Sequence, residues 1–171
     1  MLETIHLDSW GSEKRRHAYV GPAVSRRKLA KGLYYVAVVK GTFAYRRLVG
    51  SYCGRVEERP MRRSRGRFNG RVSQDVEFIF AEKRRGDVCP RVPQHWSNFQ
   101  ISTGLSYRHL EPIGARRTRP DASHRYRYLL KGRGQKAKFR LRDVYAADNY
   151  GVVTIQLRRA TRAEVESRLR R

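Results

Sequence analysis

The chain is short of acid, of cysteine and of long apolar runs, and each shortage narrows what it can be. Its 171 residues include 15 Asp and Glu against 39 Lys and Arg. So few carboxylates leave little material for the acidic clusters that hold Mg²⁺ in metal-dependent nucleases. Asp75 and Glu77, with Asp143 and Asp148 near strand ends, are the available set, and most acids are better explained as salt-bridge partners. Two cysteines, Cys53 and Cys89, do not make a disulfide scaffold. With His95 and His109 they form a conceivable zinc quartet, but no CxxC or HxxxH pair is there to nucleate it. GxSxG, a Walker A loop and a strand-borne GxGxxG are also missing, so no catalytic signature and no cofactor is expected.

No window approaches the ~18–20 apolar residues that span a bilayer. The longest apolar run, 33–39, is strand-sized, and the N-terminal residues lack the basic-then-apolar pattern of a secretory leader. The setting expected is cytoplasm, nucleus or virion, neither secreted nor transmembrane.

What the chain has is positive charge. The formal net charge is +24 and the isoelectric point about 11.2, enough to repel itself unless a polyanion neutralises it. Of the 39 basic residues 31 are Arg, whose planar fork grips phosphate with two hydrogen bonds where Lys is a solvated point charge. A GC-rich coding bias accounts for the Arg excess equally well, but not for the net charge.

The densest patterned segment is 124–142, HRYRYLLKGRGQKAKFRLR. It reads as a hairpin of two strands, 125–131 and 136–142, around the turn-prone Gly132-Arg133-Gly134-Gln135. Lys136, Lys138, Arg140 and Arg142 alternate with Ala137, Phe139 and Leu141, while Arg125 and Arg127 alternate with Tyr126, Tyr128 and Leu130. Alternate side chains of a strand face opposite ways, so the expectation is one basic and one apolar face, with Arg133 at the turn. Two irregular basic loops compete for the same partner. One, 55–71, contains Arg62, Arg63, Arg65 and Arg67; the other, 108–123, contains Arg116, Arg117 and Arg119.

Elsewhere, residues 1–32 look like a basic arm with a short helix over 23–31, started by Pro22. Residues 33–39 suit a central strand covered on both faces, and 33–52 suit a hairpin. Residues 72–81 alternate as one strand whose acidic face, Asp75 and Glu77, pairs with a basic neighbour; 96–107 and 152–157 are further strands. Thr161 and Glu164 match a capping box that opens a terminal helix over 161–171.

The fold expected is therefore mostly β: one antiparallel sandwich or open barrel over 33–160, with a basic N-terminal arm (1–32) and a short C-terminal helix (161–171). Ten tyrosines, several next to Arg, suit base stacking, though Tyr also suits half-buried strands, and Tyr126 and Tyr128 share parity with Leu130. No RNP aromatic signature, GXXG loop, zinc finger or helix-turn-helix is visible. The function expected is sequence-nonspecific nucleic-acid binding, RNA in preference to DNA, in a structural or packaging role such as a virion or ribonucleoprotein component. The second reading is a peripheral membrane or matrix-type scaffold on anionic lipid, and the third a metal-dependent nuclease. Self-association as a homo-oligomer is compatible with each.

Overall fold

A computed structural model describes residues 1–9, 19–41, 43–45, 72–81, 94–95, 98–114, 121, 123–142 and 149–169. They form β1 (Glu3–Asp8), β2 (Tyr19–Lys28), β3 (Tyr34–Lys40), β4 (Phe43–Tyr45), β5 (Val72–Gln74), β6 (Phe78–Ala81) and β7 (Gln94–His95). After these come β8 (Phe99–Ser102), β9 (Arg125–Lys131), β10 (Lys136–Arg142), β11 (Asn149–Tyr150), β12 (Val152–Arg159) and helix α1 (Arg162–Leu169). All pairing is antiparallel. A four-stranded sheet runs β1-β12-β3-β9, a three-stranded sheet β2-β10-β8, and a five-stranded sheet of short strands β11-β4-β5-β6-β7. The mostly-β sandwich with a short terminal helix is observed, and the described strands close no barrel. No described helix is long and apolar enough to cross a membrane.

The core lies between the four- and three-stranded sheets and follows strand alternation. Tyr35, Ala37, Val39, Tyr126, Tyr128, Leu130, Val153, Ile155 and Leu157 face Phe99, Ile101, Ala137, Phe139 and Leu141. Aromatic rings bridge the two layers: Phe99 lies 5.4 Å from Tyr128 and stacks on Phe139 at 6.0 Å. Every residue from Tyr35 to Val39 is buried, so β3 is the central strand expected, sheathed on both faces.

Its second face is buried as well, with α1 packed beside β9. Val36 and Val38 point away from the core, and their strand neighbours Arg158 and Arg127 both reach Glu164 of the helix, at 2.5 and 3.7 Å. The capping box is reciprocal: Thr161 N–H donates to Glu164 Oε2 (3.0 Å) and Glu164 N–H to Thr161 Oγ1 (3.3 Å). Hydrogen bonds from Arg158 and Thr161 pull the Glu164 carboxyl down to about 2.

Four expectations are corrected. First, 124–142 is not a hairpin. Its two strands have the expected bounds, but β9 pairs with β3 and β10 with β2 and β8, in different sheets. Residues 132–135 carry the chain across the sandwich beside the 29–33 crossing from β2 to β3. Backbone bonds tie the two crossings: Leu29 N to Gln135 O and Gly134 N to Leu29 O (both 2.8 Å), Gly32 N to Gly132 O (3.0 Å), Gly132 N to Leu33 O (2.8 Å). Any side chain at Gly132 would run into the Ala30 carbonyl.

Second, residues 23–31 are not a helix and 1–32 not simply an arm, because β1 and β2 are edge strands of the two packed sheets. Pro22 marks a bulge rather than a helix start: two β2 residues, Gly21 and Pro22, oppose the single Arg140 between paired positions. Ser25 repairs a second bulge, its Oγ accepting the Ala137 N–H at 2.9 Å.

Third, the described part of 33–52 makes no hairpin, since β3 and β4 lie in different sheets, and 42 and 46–52 lie outside the described residues. The chain leaves the sheet at Gly41, whose φ of +128° favours glycine and where a Cβ would stand 2.9 Å from the Val152 carbonyl. β4 then pairs with β5 and β11. Fourth, 72–81 is two strands, β5 and β6, folded back on each other. The Asp75 carboxylate makes the turn by accepting the Glu77 and Phe78 N–H groups at 2.8 and 2.7 Å. Of 96–107, the strand part is β8.

Two outcomes follow from this packing. Phe139→Ala should cost about 3–5 kcal/mol in urea unfolding, while Lys138→Ala beside it stays within about 0.5 kcal/mol. Because Glu164 binds its proton more weakly folded than unfolded, its stabilisation is present above the ordinary carboxylate value of 4.5 and is lost as pH falls toward about 2. Acid titration followed by circular dichroism should show that loss in the wild type, and Arg158→Gln should flatten it.

Candidate nucleic-acid interface

Because β9 and β10 lie in facing sheets, their basic sides look outward from opposite faces of the sandwich. The alternation expected within each strand is observed: Tyr126, Tyr128 and Leu130 are buried, as are Ala137, Phe139 and Leu141, with the cations outside. The single basic face expected of 124–142 is not. Arg125 and Arg127 belong to the α1 side, where Arg127 meets Glu164. Lys136, Lys138, Arg140 and Arg142 belong to the outer face of the three-stranded sheet. Arg133 lies across Gly104 at the edge of that sheet. Arg62, Arg63, Arg65 and Arg67, and likewise Arg116, Arg117 and Arg119, fall outside the described residues.

The two outer faces differ in their acids. β2, β8 and β10 together carry seven Lys and Arg and no Asp or Glu. Among the described residues no carboxylate pairs with Lys28, Lys136, Lys138, Arg140 or Arg142. On the other face Glu164 engages Arg127 and Arg158, Glu166 engages Arg162 (2.7 Å) and Glu111 engages Arg168 (3.4 Å). β10 is the middle strand, so its cations form a central row with Lys28 opposite Lys136 on β2.

One member of that row is held in place. The Arg140 guanidinium lies 3.5 Å from the Tyr19 ring centroid and 3.8 Å from that of Tyr107, covered on both faces. Its Nε donates to Gln100 Oε1 at 2.7 Å. That fixes the amide: the Gln100 NH₂ points to His109 Nε2, 2.9 Å away, which must accept. His109 is thereby held neutral. Burial lowers its pKa from 6.5, a hydrogen bond to the Phe99 backbone opposes this, and the charges of Arg142 and Arg140 lower it further. Tyr107 reaches the stack because Arg108 pairs with Ile101 through two 2.9 Å backbone bonds, adding a short rung beside β8. Its neighbour Arg108 marks Tyr107 in the sequence and His109 is marked there only as a conceivable zinc ligand, whereas Tyr19 and Gln100 carry no signal beyond residue type.

The carboxylates set aside for Mg²⁺ do something else. Asp75 and Glu77 are buried and meet the tyrosine side of β9 and two histidines rather than a row of Lys and Arg. Asp75 Oδ2 accepts from the Tyr126 hydroxyl (2.7 Å) and meets His124 Nδ1 (2.9 Å). Glu77 accepts from the Tyr128 hydroxyl (2.5 Å) and meets His95 Nε2 (3.1 Å). Burial and the adjacent carboxylates raise both phenol pKa values, so these tyrosines stay donors, and burial raises that of Glu77. With Phe78 against Tyr126 at 6.5 Å, these bonds dock the β5–β6 turn onto the core. Cys53, Cys89, Asp143 and Asp148 lie outside the described residues, among which no group of three metal-ligating side chains gathers.

Comparison of the chain with protein-family models, with curated proteins and with solved structures gives no match.

A proton NMR titration should place the His109 midpoint below 6.5, and Arg142→Gln should move it upward by removing a neighbouring positive charge.

Proposed function

We propose that the protein binds nucleic acid, RNA in preference to DNA, through the outer face of its three-stranded sheet, largely without reading sequence and in a structural or packaging role. The observation that carries this reading is the acid-free basic row on β10, with no carboxylate partner among the described residues, on a strand whose alternate side chains are locked in the core. Leaving such charges adjacent and unpaired is unfavourable for the isolated fold, and a polyanion removes that cost. Phosphates supply that polyanion, and binding them releases the counterions condensed around the nucleic acid. Arg125 and Arg127, named with this row from sequence, are secondary, since a carboxylate already serves one of them. The protein acts here as a binder and no catalytic step is assigned to it.

Changing Lys136, Lys138, Arg140 and Arg142 together to Gln should weaken RNA binding by about ten-fold or more and flatten its salt dependence, which on single strands is ~0.7 in log K per log salt for each phosphate contacted. Arg125→Gln with Arg127→Gln should have much the smaller effect. Gel shifts across a salt series read both, alongside flotation with vesicles of anionic lipid. Tight vesicle binding, with RNA affinity no better than that of polylysine of matched charge, would overturn the proposal in favour of a membrane scaffold.

A further inference from the structure

Within that face the Tyr19–Arg140–Tyr107 stack has a more specific geometry than charge neutralisation needs. A guanidinium in a diffuse basic patch samples many rotamers, and holding it still costs entropy when a ligand arrives. Arg140 has already been held: a tyrosine ring covers each of its faces and Gln100 takes its Nε–H. With both faces covered it has no free surface on which a base could stack. Among the described residues nothing bonds its outer edge, whose two NH₂ groups are a planar pair of donors that matches two oxygens of one phosphodiester.

We propose that this stack is a preorganised fork for a single phosphodiester and that a single-stranded nucleic acid runs along β10 from it, an assignment that rests on the nucleic-acid reading of this face. Alternate residues of an antiparallel strand recur about every 6.8 Å, on the scale of successive phosphates in an extended single strand. Lys138 and Arg142 flank Arg140 at that spacing and receive the adjoining phosphates. The apolar side chains beside the row favour a single strand over a duplex, because only a single strand offers unstacked base faces. Val24, opposite Lys138, is 41% exposed, and Leu105, on the turn before Tyr107, is 98% exposed. In this arrangement Arg140 touches the ligand, and Tyr19, Tyr107 and Gln100 are positioning residues.

The probe is a fluorescent oligouridylate, which offers phosphates and no guanine edge, titrated against the full chain by anisotropy over a salt series. Arg140→Lys keeps the charge and removes the fork, and should weaken binding about ten-fold. Tyr19→Leu with Tyr107→Leu keeps every charge and removes both shelves, and should weaken it comparably, whereas Tyr19→Phe with Tyr107→Phe keeps both rings and should bind as the wild type does. Each comparison is made where circular dichroism shows the variant folded, so that a loss reports contact. Wild-type affinity and salt slope in both Arg140→Lys and the double-Leu variant would overturn the fork, yet leave the basic-face reading intact if the four-site Gln variant has lost binding. A duplex bound more tightly than the single strand would overturn the single-strand assignment. A wild-type protein that binds no oligonucleotide would overturn the reading beneath it.

Discussion

Two short backbone crossings, 29–33 and 132–135, carry the chain between the facing sheets, and their mutual hydrogen bonds hold much of this structure in place. One takes β2 into β3 and the other takes β9 into β10. Because they lie side by side, each satisfies N–H and carbonyl groups that a lone crossing would leave to solvent. The close approach requires glycine at Gly132, where any side chain would meet the Ala30 carbonyl. That single connection decides where the charge goes. A hairpin would have put all the cations of 125–142 on one surface; a crossing divides them between opposite surfaces.

The division leaves the two surfaces chemically unlike. On the β3 side, α1 brings Glu164 between Arg127 and Arg158, the strand neighbours of the buried Val38 and Val36. Cations there serve packing and helix docking. On the β10 side no acid among the described residues pairs with the row, and Arg140 is held by Gln100, Tyr19 and Tyr107. Neutral partners orient a guanidinium without cancelling its charge, and this distinguishes a positioned cation from a neutralised one.

The buried acids show the same economy of a scarce residue type. Asp75 and Glu77 each take a core tyrosine hydroxyl and a histidine, giving Tyr126 and Tyr128 the partners that buried phenols need. This explains how a core can hold two tyrosines side by side on one strand. It also explains why the third sheet sits where it does, since its β5–β6 turn carries both carboxylates.

Alternation is legible in the residue order because it is a local property: a strand sends neighbours to opposite faces whatever it pairs with. Hence the bounds of β9 and β10, the burial of Tyr126, Tyr128 and Phe139, the two-sided burial of β3 and the capping box at Thr161 and Glu164 all followed from residue order alone. Partner choice is not local. Whether Gly132-Arg133-Gly134-Gln135 closes a hairpin or crosses a sandwich depends on the 29–33 segment lying beside it, about a hundred positions away in the chain. Pro22 likewise reads as a helix start until β10 is laid alongside it and the bulge appears. The stacked arginine draws on Tyr19, Gln100, Tyr107 and Arg140, from three separate stretches, so no spacing rule could have joined them. Residue order is enough to make the protein basic, mostly β and two-faced strand by strand. Which cations share a face depends on which strands pair, and pairing is settled by contacts between distant segments.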